Sequence, residues 1–148
     1  MWNRPCAGFS LIEVLVALLV TALGILGLVA ANLNALKFNQ TADVRSHATL
    51  LAYDIVDRMR ANRDAALAGL YDTTFTATSP GGNRVHQIDL RDWLNALASQ
   101  MTSGDGSIAR DGRRFTITVQ WDEERISGSR PANAGGGHLQ RFVFVTEL

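Results

Sequence analysis

Apolar and polar residues divide this chain into three regimes. From Val14 to Ala31 the only side chain with a hydroxyl or a charge is Thr21, and the rest are Val, Leu, Ile, Ala and two glycines. That run reaches the length of about 18 residues at which a helix is apolar enough to cross a membrane. Beyond Asn32 the pattern turns amphipathic. Val44, Ala48, Leu51, Ile55 and Met59 recur at spacings of three and four, which puts them on one helical face. Asp43, Arg45, Asp54, Asp57, Arg58 and Arg60 occupy the other positions, and Asp54 precedes Arg58 by one turn in the favourable acid-before-base order. Pro5 and Gly8 oppose helix, no proline occurs from Phe9 to Ala68, and Gly69 is a stop signal. The pattern therefore predicts a single helix from about residue 9 to about residue 64. Gly24 and Gly27 are its weak points, marking a bend, a melting point or a close helix contact.

The third regime mixes short elements. "YDTTFTATSPGGNRV", from Tyr71, is threonine-rich and predicts at most a short strand over Thr74 to Thr78 before the breaker Ser79-Pro80-Gly81-Gly82. Leu90, Trp93, Leu94, Leu97 and Met101 predict a second, short helix with Asp89 as its N-cap. "SGDGS" reads as a turn. Ser107 to Arg110 and Arg113 to Trp121 then flank Asp111-Gly112, a hairpin signal. Phe115, Ile117, Val119 and Trp121 alternate with Thr116, Thr118 and Gln120, so that strand should have one wet face. Residues 126 to 137, "ISGSRPANAGGG", read as a flexible loop. Leu139 to Thr146 reads as the last strand, and its "FVFV" centre predicts burial on both faces. The fold class expected is α+β, a long helix whose second half packs on a small antiparallel sheet with one extra short helix. No internal repeat is visible.

Composition narrows the chemistry. The chain has 148 residues and a formal net charge of zero, so no general basic field is available to attract nucleic acid or anionic lipid. Cys6 is the single cysteine, which precludes an internal disulfide, and if the first residues are removed no thiol remains. His47, His86 and His138 show no metal-ligand spacing and no pairing with a nucleophile. No Gly-rich phosphate loop, nucleophile elbow or paired-carboxylate site is present. Neither an enzyme, a cofactor nor a metal is indicated. One residue resists a bland reading: Glu13 carries a carboxylate into the start of the apolar run. A charged side chain in a helix at bilayer depth costs about 2.5–3.5 kcal/mol on insertion scales and usually has a named partner.

"GFSLIEVLVALLVTALGILGL", from Gly8, resembles the class III leader and N-terminal helix of type IV pilins and pseudopilins. The matching elements are Gly8, Phe9 and Glu13. "RSHATLLAYDIVDRMRANRDAA", residues 45 to 66, resembles the helix of the PilV type of minor pilin, the type IV pilus modification proteins. The resemblance implies a leader over residues 1–8, a membrane or filament-core helix over 9–31 and a periplasmic domain over 32–148. It implies cleavage by prepilin peptidase between Gly8 and Phe9, N-methylation of Phe9, and Glu13 as the assembly residue. The partners implied are other minor and major pilins, the inner-membrane assembly machinery and the membrane itself, with no nucleic acid. Priming of pilus assembly, twitching motility and adhesion are implied with them. Pro5, Cys6 and Ala7 stand where many such leaders have a basic residue. A helix proline and a C-terminal cysteine pair, common in major pilins, are both missing, which favours a minor subunit.

The competing readings are structural or of another class. A plain signal anchor accounts for Val14 to Ala31 without needing Glu13. A secretory signal peptide would be cut near Val29-Ala30-Ala31. A minor pseudopilin of type II secretion shares the N-terminal pattern. A membrane-anchored periplasmic binding or sensor domain predicts an uncleaved N-terminus. Arg58, Arg60 and Arg63 are offset by Asp54, Asp57 and Asp64, which favours a salt-bridged helix face over phosphate binding. Asp122, Glu123 and Glu124 read as an acidic turn before they read as a calcium site. Trp93 and Trp121 are expected in the core.

Overall fold

The computed structural model describes residues 8–123 and 139–148. Two compact units divide the chain, one reaching to Phe38 and the other spanning Asn39–Leu148. The element order is α1 (Leu11–Ala61), α2 (Arg63–Leu67), α3 (Val85–Gln100), β1 (Asp105–Asp111), β2 (Arg114–Asp122) and β3 (Leu139–Glu147). The fold is α+β with the pilin-like combination of a long N-terminal helix, a short extra helix and a three-stranded antiparallel sheet.

In the second unit one face of α1 is the floor of the core. Ala48, Leu51, Ala52, Ile55, Val56 and Met59 are buried, and Val44 packs against the same cluster. The three-and-four spacing of the sequence is therefore a burial pattern. The opposite positions form ion pairs within the helix: Arg58 Nε donates to Asp54 Oδ2 at 2.9 Å, and Arg60 lies 3.1 Å from Asp57.

The helix is not a single element to residue 64. It ends at Ala61, Asn62 leaves helical geometry at φ −121°, ψ 51°, and α2 follows. At its far end the Gly69 N–H bonds the Ala66 carbonyl and the Leu70 N–H bonds the Ala65 carbonyl. That paired pattern is a Schellman cap, with Gly69 at its left-handed position, as the stop signal anticipated.

α3 begins four residues before the expected Asp89 cap. Its N-cap is Arg84, whose N–H donates to the side chain of Gln87. Asp89 sits inside the helix because it serves a tertiary purpose. Its Oδ2 accepts a 2.5 Å hydrogen bond from the Tyr71 hydroxyl, which also accepts one from Asn62 Nδ2 at 3.2 Å. Its Oδ1 lies 3.5 Å from Arg58 Nη1. This network joins the end of α1, the segment after α2 and the start of α3. Burial first, and then the bond to Asp89, push the Tyr71 hydroxyl up from 10.0 to about 12. His86 is buried with its ring edge-on to Tyr71.

Trp93 is fully buried on α3, and its indole N–H donates to the Leu51 carbonyl of α1 at 2.9 Å. α3 approaches β1 so closely that a Cβ on Gly106 would stand 2.3 Å from Trp93 Cη2. Only glycine leaves room for that indole.

The sheet order is β1-β2-β3, antiparallel throughout. The hairpin forms, but its two-residue loop is Gly112-Arg113 and not Asp111-Gly112, since Asp111 pairs with Arg114. Gly112 has φ +61°, which puts the residue that tolerates a left-handed backbone first in the loop. β2 has the expected alternation, with Phe115, Ile117, Val119 and Trp121 buried.

Two strand expectations are corrected. Thr74 to Thr78 forms no strand: Thr73 makes a single bridge to Ile108, after which the chain turns through Thr76 at φ 61°. β3 is not buried on both faces. As an outer strand it alternates, with Phe142 and Phe144 facing the core and Val143 and Val145 exposed. The expected loop at 126 to 137, together with Glu124 and His138, lies outside the described residues.

Gly106→Ala should destabilise the folded unit by about 1–3 kcal/mol through overpacking against Trp93, read by denaturant unfolding. Because Tyr71 is held neutral more firmly in the folded state, its contribution is complete below pH 10. It is lost as pH rises to about 12. Unfolding curves of Tyr71→Phe should lack that alkaline decline.

Candidate functional site

The first unit offers no core of its own. Leu15, Leu18, Leu19, Leu23 and Leu26 on α1 are all more than half exposed. The most apolar stretch of α1 has a mean hydropathy of 2.8 and none of it is buried, so the helix is long and apolar enough to cross a membrane. In water such a surface carries a large penalty, at about 25 cal/mol for each Å² of apolar area. A second medium or a second molecule must cover it.

The polar groups within this surface are few and specifically placed. Ser10 precedes α1, and its carbonyl accepts from the Glu13 and Val14 N–H groups at 3.0 and 3.3 Å. Its hydroxyl also accepts from the Glu13 N–H at 3.3 Å. Ser10 is thus the N-cap and Glu13 the N3 residue, in the S-x-x-E spacing of a capping box. This role of Ser10 was readable from that spacing, which the apolar run overshadowed. A carboxylate in the first turn also offsets the positive end of the helix dipole.

Phe9, Glu13, Ala17 and Thr21 follow one another at four-residue steps, and with Val14 and Leu18 they line a hollow of about 420 Å³. Thr21 Oγ1 donates to the Ala17 carbonyl at 2.8 Å, so its hydroxyl is satisfied within the helix. The Glu13 carboxylate has no such partner: among the described residues it makes neither an ion pair nor a hydrogen bond. A methyl group added at Gly24 or Gly27 would meet nothing within 4 Å. Neither glycine is explained by packing against the described residues, and small residues on an apolar helix are what allow another helix to approach closely.

The sequence-predicted residues Gly8, Phe9 and Glu13 thus lie together at the start of α1, exposed and accessible. The other candidates are dispersed. Arg58 and Arg60 are tied to aspartates, and Arg58 joins the network at Asp89. His47 lies on α1 with its Nδ1 3.0 Å from the Asp43 carbonyl, and His86 is buried beside Tyr71. Asp122 closes β2, and Glu123 is buried immediately after it.

Comparison with protein families gives one match, the prokaryotic N-terminal methylation motif, over residues 3–29. No curated protein and no solved structure matches the chain. The N-terminal segment therefore carries the signal of type IV pilin-like prepilins, a class of structural proteins whose leaders are processed by prepilin peptidase. The matched span includes Gly8, Phe9, Ser10 and Glu13, and most of the uncovered apolar surface.

Replacing Ser10 with alanine should cost the first turn of α1 about 1 kcal/mol. Amide exchange in detergent micelles should show faster exchange at Glu13 and Val14 and no change beyond Ala17.

Proposed function

We propose that this chain is a minor pilin of the PilV type, made as a prepilin and incorporated into a type IV pilus. In this reading residues 1–8 are the leader, 9–31 the membrane and filament-core helix, and 32–148 the periplasmic domain. Prepilin peptidase cuts between Gly8 and Phe9 and methylates the new amine. The protein waits in the inner membrane with its N-terminus cytoplasmic, and the assembly machinery then transfers it to other minor and major pilins. A role in priming assembly, with effects on twitching motility and adhesion, follows from that place.

The observation that carries this reading is the methylation motif coinciding with a carboxylate that has no partner among the described residues of its own chain. Cleavage after Gly8 creates a cationic amine at Phe9, next to the positive end of the α1 dipole. Neither that amine nor Glu13 is stable alone in an apolar setting. A buried ion pair adds little net stability, but removing one member typically costs about 3–5 kcal/mol. A Glu13 that meets the Phe9 amine of a neighbouring subunit therefore acts as a register device: misplaced subunits leave two charges unmatched. Lipid tails are as apolar as leucine, so leaving the bilayer for the filament gains nothing from the hydrophobic effect alone and requires an energy-consuming machine. The stretch from Arg45 to Ala66 favours the pilus over a type II secretion pseudopilus by its resemblance to the PilV type.

Intact-mass analysis of the mature protein should find a methylated chain beginning at Phe9. A chain beginning at Met1 or Asn32 excludes the proposal. Glu13→Ala should insert normally into the membrane but fall at least about tenfold in sheared filaments, the scale set by an unmatched buried charge. Unchanged filament content would remove Glu13 from assembly. Loss of twitching in a deletion strain with intact secretion separates pilus from secretion pseudopilus.

A further inference from the structure

β3 forms an outer edge of the sheet, and the register shows which of its backbone groups are already engaged. Asp111 and Arg114 close a two-residue loop and so bond each other. Alternation along β2 then turns the backbone groups of Phe115, Ile117, Val119 and Trp121 toward β3. Their partners are Thr146, Phe144, Phe142 and Gln140. The bond from the Leu148 N–H to the Arg113 carbonyl continues the same parity. The backbone groups of Leu139, Arg141, Val143, Val145 and Glu147 consequently point away from the sheet, and no described residue bonds them.

Sheet edges in soluble proteins are usually blunted by proline, a bulge, short length or a central charge. β3 has none of these. It runs nine residues without proline or glycine and pairs with β2 without a break. Val143 and Val145 stand at its centre, each 54 % exposed, with Arg141 and Glu147 on either side; Arg141 Nε donates to Gln120 Oε1 of β2 at 2.9 Å, and Glu147 forms a solvent-exposed 3.8 Å pair with Arg114 of β2. This edge has the chemistry of a docking strand: open backbone groups, an apolar middle and opposite charges at its ends.

A second copy of the chain is a poor occupant. Antiparallel self-pairing centred on Phe144 would match Arg141 with Glu147 and Val143 with Val145, but it fails on direction. Arg45 and Thr49 of α1 share a hollow with Gln140, Arg141 and Phe142. Tyr53 packs on Phe144 at 4.8 Å between ring centroids, and Arg60 reaches Thr146. From Arg45 to Arg60, α1 therefore runs in the same sense as β3. A two-fold pair would send the Asn39 ends out on opposite sides, whereas chains anchored by their N-termini in one membrane leave it on the same side. Parallel addition would need the outer edge of β1, where Ile108 is already bonded to Thr73 through both its N–H and its carbonyl.

We propose that the open edge of β3 receives an extended segment of a different pilin-class subunit, with apolar side chains over Val143 and Val145, an acid opposite Arg141 and a base opposite Glu147. The inference rests on the pilin reading above, and its test separates the two. A photoreactive phenylalanine analogue replaces Val143 in the full-length chain in cells, and the adduct is mapped by mass spectrometry. The expected adduct joins this edge to an extended segment of another chain that carries the methylation motif. Val145→Pro removes an outward N–H but no bond to β2, and Val145→Lys leaves the backbone intact while placing a charge on the edge. Both should lower the adduct and the filament-associated protein about tenfold, for the proline the scale of one partner carbonyl left unsatisfied and for the lysine that of a charge set into the apolar middle of the edge. Processing at Phe9 and exchange protection at Phe142 and Phe144 should stay unchanged. An adduct only with a second copy or with lipid, no adduct, or wild-type incorporation of Val145→Lys overturns the docking proposal. A wild-type chain that keeps its leader overturns the pilin reading, whatever the adduct.

Discussion

Apolar surface left open by its own chain must be covered by something else, and that requirement governs the whole molecule. Up to Phe38 no described residue buries the leucines and valines of α1. From Asn39 on, the same helix buries Ala48, Leu51, Ile55 and Met59 against its own sheet and its own α3. The two ends of α1 thus solve the same problem with different material. The second unit is a self-sufficient fold, while the first depends on lipid or on another protein. At the boundary of the apolar run the Glu13 carboxylate has no partner among the described residues. Lipid tolerates a carboxylate there only at a cost, whereas a neighbouring cationic terminus can satisfy it.

The sequence conveyed what local periodicity can convey. The burial face of α1, the alternation of β2, the hairpin and the Gly69 cap all depend on residues within a few positions of one another, and all appear in the structure. What it concealed depends on distant partners. Asp89 has the composition of a helix cap, but its contacts are Tyr71 and Arg58, on other elements, and no local pattern reports them. "FVFV" looks the same in a strand buried twice and in one exposed on one side, because strand order within a sheet leaves no mark on the strand itself. Thr73 was unreadable for a similar reason: one bridge to Ile108 is decided by the path of the chain after Gly69.

The N-terminal motif carries linear information, and the family match over residues 3–29 covers the same stretch. Gly8, Phe9 and Glu13 are separated by fixed steps around the start of α1, so they can be recognised without any tertiary contact. Ser10 belongs to the same short grammar. The outward row of β3 is the opposite case. Its meaning emerges only once the register of two neighbouring strands has decided which amides are engaged and which are left over.

The bond from the Trp93 indole to the Leu51 carbonyl has a mechanical meaning. It fastens α3 to the backbone of α1 midway along the buried face, while Asp89 fastens the same two helices further along. Tension applied along α1 would load these fastenings in shear and together, not in sequence. The small unit is therefore built to be towed by its helix without being peeled apart.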